Sequence, residues 1–426
     1  MHKISMPQDL VLIGGGHSHA IVLKMFAMKP LLGVRLTLIS DVLYAPYSGM
    51  LPGHVAGFYG YDECHIDLRS LAEFAQCQIF IDRAIAIDFS KNCVICQNRP
   101  PVNFDLLSID IGSTPATLSV PGAAEYAIAA KPVPEFLANW NQLINQRENY
   151  PEKPLRIAIV GGGAGGVELA LNMQSRMAKE EGRRKKEEGR GKFGSGFCNG
   201  FSGWILKDRG KFKQDEGLEI HLFHSGVQLM SGHNQRVRRR LQKIIINRGI
   251  QLHLNEKVCA IEKIDKGTNS EFPTVYQICC ESGLKVECDR IFWVTQASAA
   301  HWIAESGLAT DSNGFMQVND CLQSVSHPNV FAAGDIAAMV NYPRPKAGVF
   351  AVRQGKPLFE NLQHFLLQKP LKPFAPQSQY LALIGTGNKS AIASRGNFMW
   401  ESPLLWYWKD WIDRKFMQTF TNSTQK

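Results

Sequence analysis

The sequence predicts an α/β protein in which two parallel sheets form the centres of two domains, followed by a C-terminal segment. Two segments of similar layout support this prediction, DLVLIGGGHSHAIVLKMFA at 9–27 and LRIAIVGGGAGGVELALNMQSRM at 155–177. Each joins a β-branched apolar run, a glycine cluster and a helical pattern, which is how a βαβ unit of a parallel sheet begins. A chain of 426 residues is long enough for both domains and a further segment.

Composition indicates an ordinary globular protein. Hydrophobic residues make up 45% and charged residues 20% of the chain, close to the globular average. The sequence contains no run of 18 apolar residues, so no membrane-spanning helix is predicted. The first strand begins near Leu10, which leaves no room for a signal peptide, so we expect a cytoplasmic protein. The ten cysteines lack the repeated spacing of a zinc site, and no metal is expected.

The net charge of +9, from 47 basic and 38 acidic residues, is concentrated in one segment. Residues 176–217 hold 12 Lys or Arg and 7 Asp or Glu in a Gly-rich run of low complexity. A nucleic-acid-binding surface would place its charge on a folded face, so no nucleic-acid partner is expected. We interpret 178–217 as a disordered insertion between a helix and the next strand. A basic interaction arm is the alternative.

The remaining strands follow each glycine cluster in turn. The first block continues with VRLTLIS (34–40), an alternating stretch typical of antiparallel strands, and FDLLSIDIGSTP (104–115). The second block continues with LEIHLFHSG (218–226) and VECDRIFWVTQA (286–297), and HPNVFAAGDIAAM (327–339) comes later.

The second glycine cluster has the complete GxGxxG pattern, at Gly161, Gly163 and Gly166. The first glycine permits a tight turn, the second lets the backbone approach a pyrophosphate, and the third lets helix and strand pack closely. The pyrophosphate would lie at the helix N-terminus, where free amides and the helix dipole favour an anion. This cluster therefore predicts a dinucleotide site.

The first cluster is less regular. Gly14, Gly15 and Gly16 are followed by His17, and His19 stands at the position of the third glycine. A bulky side chain there must point away from the sheet or push the helix outward. Two histidines in one turn without further ligands do not predict a metal site.

A carboxylate at the end of the second strand normally binds the ribose of the dinucleotide. That position holds Ser40 and Asp41 in the first block and His224 in the second, where no acid is present. The missing acid removes repulsion against a 2′-phosphate, so NADPH as well as NADH is expected to bind.

These motifs, with a late FAAGD at 331–335, resemble flavoproteins of the pyridine nucleotide-disulfide reductase type. The resemblance implies two Rossmann-like domains, the first binding FAD and the second NAD(P)H. It implies an FAD-binding domain at 1–120 and 289–362, an NAD(P)H-binding domain at 121–288 and a C-terminal segment at 363–426. It further implies cofactor contacts at Pro46, Ala84, Gly112, Gly334, Asp335, whose carboxylate would meet the flavin ribityl chain, and Glu168.

Two further segments indicate which branch of these flavoproteins the chain resembles, and the branches differ in their electron acceptor. Thiol-disulfide reductases carry a redox Cys pair just after the second strand, whereas YAPYSGMLPGHVAG has no Cys there. PRPKAGVFAVRQG (343–355) resembles the segment of type II NADH:quinone dehydrogenases in which a helix N-terminus points at the flavin edge. The residues implied at this edge are Lys346, Ala347, Gly348, Val349 and Gln354, with Ala347-Gly348-Val349 where that family usually has Thr-Ala-Gln.

A narrower resemblance involves GGGHSHA, PYSGMLPGHVAGFY, PKAGVFAVRQG and WKDWIDRKFM. These are similar to a flavoprotein module that in some bacteria is fused to selenide, water dikinase. In that module the irregular His19 position is a family feature.

The last predicted element is a helix at 402–420, where apolar residues recur at spacings of three and four. Three roles of this helix stay open. It could pack in the core or in a homodimer, lie on a membrane surface, or bind a partner. The membrane role would involve Trp400, Trp406, Tyr407, Trp408 and Trp411. On the polar side, Asp410 and Asp413 largely offset Lys409, Arg414 and Lys415.

The sequence thus predicts an FAD-dependent NAD(P)H oxidoreductase, similar to NADH dehydrogenases. Hydride would pass from the nicotinamide to the flavin, and electrons would then pass to a small acceptor, with a quinone favoured. Two alternatives stay open: a selenium, sulfur or protein acceptor, and a non-catalytic FAD-binding redox sensor.

Overall fold

Two five-stranded parallel sheets form the centre of this protein, seen in a computed structural model. It describes residues 7–115, 120–150, 153–191, 217–264, 275–295 and 297–421. The α-helices are α1 (His17–Met28), α2 (Leu51–Val55), α3 (Leu68–Phe74), α4 (Ala123–Tyr126), α5 (Val133–Asn149), α6 (Ala164–Gly191), α7 (Gln235–Asn247), α8 (Trp302–Glu305), α9 (Gly348–Leu366) and α10 (Pro403–Thr421).

The strands are short, and most belong to one of the two central sheets or to a small antiparallel sheet. They are β1 (Gln8–Ile13), β2 (Val34–Ser40), β3 (Tyr44–Pro46), β4 (His65–Asp67), β5 (Gln78–Ile81), β6 (Ala84–Asp88), β7 (Cys93–Cys96), β8 (Val102–Asn103), β9 (Leu106–Ile109), β10 (Thr114–Pro115), β11 (Ile128–Ala129), β12 (Leu155–Val160), β13 (Leu218–His224), β14 (Gln251–Leu254), β15 (Val258–Ile264), β16 (Val275–Cys280), β17 (Lys285–Cys288), β18 (Arg290–Trp293), β19 (Ala297–Ser298), β20 (Met316–Val318), β21 (Val330–Ala332), β22 (Ala337–Met339), β23 (Ala382–Gly385), β24 (Ala391–Arg395) and β25 (Phe398–Ser402).

The two central sheets have the same strand arrangement except for the origin of one outer strand. The first has the order β21-β9-β1-β2-β5 and the second the order β11-β18-β12-β13-β14, with all pairs parallel. In each sheet the strand before the glycine cluster is central, so the cluster lies at the carboxyl end of the middle strand. This confirms the α/β class with two Rossmann-like sheets.

A three-stranded antiparallel sheet interrupts each half at the same place. The sheet β6-β7-β8 precedes β9, and the sheet β15-β16-β17 precedes β18. The alternating stretch before 104 therefore forms paired antiparallel strands, as its pattern predicts. The single strand expected at 286–297 was wrong: β17 ends at Cys288 and β18 begins at Arg290, because Asp289 turns the chain from one sheet into the other.

The inner strands of each central sheet are mostly apolar and are buried along most of their length. Leu10, Leu12 and Leu38 are fully buried in the first sheet, and Ile157 and Phe292 in the second. Phe292 packs against Phe136 and Trp140 of α5, with ring centroids 5.5 and 6.3 Å apart.

Two observed helices cross positions that the sequence analysis gave as boundaries. Helix α6 continues past the expected start of the insertion at 178 and ends at Gly191, while 192–216 lie outside the described residues. The expected domain boundary at 362 falls inside α9. The C-terminal helix covers Pro403–Thr421 and follows the antiparallel sheet β23-β24-β25, which the sequence pattern did not reveal.

None of the described helices is both long and apolar enough to cross a membrane.

Replacing Phe292 by Ala should lower the free energy of unfolding by about 3–5 kcal/mol, because it leaves a cavity against α5. Urea unfolding followed by circular dichroism measures this change. The exposed Phe398 is the matched control, and its replacement by Ala should shift the unfolding free energy by no more than about 0.5 kcal/mol. Equal effects of the two substitutions would contradict the assignment of Phe292 to the core.

Candidate active site at the glycine clusters

The first glycine cluster is organised around Asp110, which follows β9. Asp110 Oδ2 accepts hydrogen bonds from the backbone N–H of Ser18 (2.9 Å) and of His19 (3.1 Å), in the first turn of α1. Its backbone carbonyl accepts the N–H of Gly16 at 3.1 Å. A side chain at Gly16 or Gly334 would clash with the Asp110 carboxyl group. Both positions therefore require glycine because of this buried acid.

His19 does not point away from the sheet, so the first of the two expected outcomes was wrong, while the outward shift of the helix stays a prediction. Its Nδ1 lies 2.7 Å from Gly14 O and its Nε2 lies 2.9 Å from Ser108 Oγ of β9. The ring is fully buried, and burial lowers the pKa of His19 to about 4. Neutral imidazole thus links turn, helix and sheet, where a regular cluster has only glycine.

His17, the first residue of α1, is partly buried, and desolvation of its ring lowers its pKa to about 4. Among the described residues its Nε2 has no hydrogen-bond partner. The ring meets Tyr47 edge-on at 5.3 Å and Phe416 of α10 at 6.3 Å. An unpartnered buried nitrogen beside a glycine cluster is the type of group that a bound cofactor satisfies.

The expected ribose-binding residues lie at the end of β2. Ser40 is buried and its Oγ donates to Val42 O at 2.8 Å. Asp41 is exposed and pairs with Arg83 at 3.3 Å. Pro46 ends β3, Ala84 begins β6, and a side chain at Gly112 would meet nothing within 4 Å.

Asp335 lies in the same cleft on the late motif. Its Oδ2 accepts hydrogen bonds from Lys131 Nζ at 2.9 Å and from Ser113 Oγ at 3.1 Å. Burial acts against ionisation, but the charges and hydrogen bonds, led by Lys131, outweigh it and lower the pKa of Asp335. The preceding Gly334 donates its N–H to Gln354 Oε1 of α9 at 2.7 Å.

The N-terminus of α9 begins at Gly348 after the capping residue Ala347, as the resemblance implies. A cavity of about 280 Å³ lies beside it, lined in part by Asp335, Lys346 and Gln354. Lys346 Nζ donates to Ala337 O at 2.8 Å and lies 4.0 Å from the ring of Phe315. Burial lowers the pKa of Lys346 to about 8.

The second glycine cluster differs from the first in leaving the backbone at its helix terminus open. Gly161 has φ +132°, a conformation that favours glycine, and a side chain at Gly166 would clash with the Gly161 carbonyl. Above Gly163 a side chain would meet nothing within 4 Å. This open backbone is what the approach of a pyrophosphate requires.

The remaining two expected contacts lie at the edges of the second domain. His224 ends β13, and its ring packs 2.5 Å from the position that a side chain at Gly162 would take. Glu168 of α6 accepts the N–H of Gly385 at 2.7 Å. Burial raises the pKa of Glu168 to about 7, against the opposing charge of Lys409.

The residues present fit FAD and a nicotinamide nucleotide. The first cleft combines glycine backbone, the unpartnered His17 nitrogen and an ionised Asp335, and the second has open backbone at Gly163. Sequence reasoning missed Asp110 and Lys131. An acid directly after a buried strand is a signal for Asp110, but nothing in the sequence links Lys131 to a residue 204 positions later.

Residues 8–355 match the family of pyridine nucleotide-disulphide oxidoreductases. The chain belongs to this family. This membership agrees with the resemblance stated from the paired glycine clusters and the late motif.

Several relatives and one solved structure are similar to the chain. Ferroptosis suppressor protein 1 of Taeniopygia guttata is 27% identical over 53% of this chain and 50% of its own length. The NADH dehydrogenase-like protein YutJ of Bacillus subtilis is 22% identical over 94% of this chain and 99% of its own. Demethylphylloquinone reductase NdbB of Synechocystis is 23% identical over 72% and 66%. The NDH2 structure from Plasmodium falciparum superposes with a TM-score of 0.74 at 15% identity, covering 98% of each chain.

The matched part spans about half to two thirds of the ferroptosis suppressor proteins of T. guttata and Xenopus tropicalis. These likenesses support the predicted resemblance to type II NADH dehydrogenases.

Replacing Gly163 by Val should weaken NAD(P)H binding roughly tenfold or more, since tenfold is about 1.4 kcal/mol of lost contact at the pyrophosphate. Folding and FAD content should not change, because a Cβ atom added at Gly163 has no non-neighbouring protein atom within 4 Å. The Kd follows from titration of NADH fluorescence.

Gly232 is the matched control, since it lies in the same half of the chain with equally open surroundings. Gly232→Val should keep the wild-type Kd. An unchanged Kd in Gly163→Val would remove the second cluster from the nucleotide site.

Proposed function

We propose that this protein is an NAD(P)H:quinone oxidoreductase of the type II NADH dehydrogenase kind. The observation that carries the proposal is an aromatic contact between the first cluster and the C-terminal helix. Tyr47 and Phe416 have ring centroids 4.7 Å apart, and both meet His17 at the start of α1. A flat apolar acceptor suits such a surface. The relative NdbB is named as a demethylphylloquinone reductase.

The loop after β3 brings this contact together. Tyr47 OH donates to Asp413 Oδ1 at 3.1 Å, and Lys409 Nζ donates to Gly49 O at 2.6 Å and to Asp413 Oδ2 at 2.5 Å. Asp413 is buried and pairs with Lys409, and Asp410 pairs with Arg414 at 2.9 Å, so these two acids offset two of the three basic residues as expected. The network fixes α10 against the edge of the cleft.

No thiol relay is apparent among the described residues near this loop. Cys64, the next cysteine in the chain, is buried, and burial raises its pKa to about 12. A thiol in that state is a poor nucleophile at neutral pH. This supports an external electron acceptor for a bound FAD, in line with the absence of a Cys pair in 44–57.

The chain's own residues hold and orient the reactants. FAD, when bound, supplies the redox chemistry between nicotinamide and acceptor. Lys131 keeps Asp335 ionised beside the first cluster, and the amides at the start of α9 offer an electropositive end toward the cleft. The open backbone at Gly163 receives the pyrophosphate of NAD(P)H, and Phe416 and Tyr47 form an apolar wall for the acceptor.

Anaerobic NADH or NADPH should bleach the flavin absorbance of the purified protein, and a short-chain quinone should restore it. Phe416→Ala should raise the KM for quinone roughly tenfold, through loss of about 1.4 kcal/mol of ring contact, while NADH bleaches the flavin at the wild-type rate. Phe398→Ala is the control with an unchanged KM.

Recovery with a sulfur or selenium compound but not with quinone would reassign the acceptor. If neither nucleotide bleaches the flavin, the result would favour the alternative of a non-catalytic redox sensor.

We further propose that α10 lies on a membrane through its outer face. Leu404, Tyr407, Trp408, Trp411 and Ile412 are exposed there, and Trp400 is exposed on the adjacent β25. Trp406 does not belong to this face, contrary to expectation, because it is buried 5.1 Å from Phe58. Tyr and Trp side chains favour the headgroup boundary, and a lipid-soluble quinone would reach the cleft from that side.

The double variant Trp408→Ser, Trp411→Ser should reduce co-sedimentation with phosphatidylcholine–phosphatidylglycerol vesicles at least about fivefold, since each ring contributes roughly 1 kcal/mol or more of apolar burial. Turnover with a short-chain quinone should not change. Tyr150→Ser, at a distant exposed aromatic, is the control. Vesicle binding that survives the double variant would refute this surface. A wild-type dimer that the double variant dissociates would assign the face to a second copy instead.

A further inference from the structure

The carboxyl group of Asp110 lies where this fold otherwise receives a phosphate. It accepts the N–H groups of Ser18 and His19, the second and third residues of α1. Unpaired amides and the helix dipole make this terminus an anion site. The pyrophosphate of a dinucleotide binds at the same end of the helix. A pyrophosphate of FAD bound in this way would share the helix terminus with the carboxyl group of Asp110.

The second domain shows that the turn does not need this acid. The carbonyl that would clash with a side chain at Gly14 belongs to Asp110, and the one beside Gly161 belongs to Val294. The two residues thus correspond in the two sheets. Val294 Cγ1 lies 3.3 Å from the side-chain position of Gly165 and offers no acceptor to the helix. The acid is specific to the first cluster.

The other charged groups around Asp110 do not neutralise it. On the late motif, Asp335 is a second carboxylate, and Lys131 bonds to Asp335 at 2.9 Å. On α1, burial keeps His17 and His19 neutral by lowering the pKa of each to about 4. On α9, the facing residue is the uncharged Gln354, bonded to Gly334. Burial raises the pKa of Asp110 to about 7, against the two amide hydrogen bonds.

We propose that FAD binding is coupled to protonation of Asp110, so that the pyrophosphate is held when this carboxyl is neutral and repelled when it is ionised. The neutral acid keeps one oxygen as acceptor for the α1 amides and gains an O–H that can donate to a phosphate oxygen. The ionised acid places a like charge at the same terminus, in surroundings where charges are poorly screened. The proposal rests on the use of FAD and does not depend on the acceptor.

The sign of the pH dependence follows from linkage. Added negative charge from FAD raises the pKa of Asp110, so binding takes up a proton wherever the free site is ionised. Affinity for FAD is therefore level below about pH 7 and falls as pH rises above it.

The test is the Kd for FAD of the full-length protein from pH 5.5 to 9, from the fluorescence of flavin released on dilution of the holoprotein. Wild type should lose affinity by up to about tenfold per pH unit above pH 7, the limit for uptake of one proton. Asp110→Asn keeps an acceptor for both amides and should bind FAD with a Kd that is flat over this range. Asp105→Asn, at the other end of β9, should keep the wild-type slope.

A flat wild-type profile, or an Asp110→Asn profile with the wild-type slope, would overturn the proposal. If Asp110→Asn does not fold, Asp110→Ser serves in its place, and the wild-type slope remains decisive by itself. A quinone-inactive protein with the expected slope would refute the proposed acceptor and leave this coupling intact.

Discussion

The hydrogen bonds from the start of α1 to the Asp110 carboxyl group determine much of the first cleft. They bring the end of β9 onto the helix terminus at 2.9 and 3.1 Å. Because the carboxyl fills this space, Gly16 and Gly334 cannot carry side chains. The late motif can approach only as glycine, and that approach places Asp335 and its Lys131 partner beside the cluster. A single buried acid thus fixes the relation of three distant segments.

The same βαβ unit is used twice, and the two copies are completed differently. The first sheet takes its outer strand β21 from residues beyond the second sheet, so the first half is closed by both ends of the matched region. The second sheet takes β11 from residues just before its own first strand. Closure of the first sheet is therefore what carries Asp335 and the start of α9 to the cleft. A chain cut between the two halves could not build this site.

The C-terminal segment connects the two halves through polar contacts in a buried setting. Gly385 binds Glu168 of the second half, while Lys409 and Asp413 bind the Tyr47–Gly49 loop of the first. An ion pair out of water is stabilising only when hydrogen bonds satisfy its remaining atoms, and here Tyr47 and the Gly49 carbonyl do so. The segment has one face fixed to the cleft and an aromatic face left exposed.

The sequence by itself determined the fold class, both glycine clusters, the late motif and the C-terminal helix. These signals are local, since strand–turn–helix patterns and periodic apolar residues depend on near neighbours. Only the tertiary structure decided that His19 turns into the sheet, that Asp110 occupies the α1 terminus, that Lys131 pairs with Asp335 and that Asp413 is buried. Each of these depends on contacts between residues far apart in the chain. No local pattern encodes which buried polar group will meet which partner.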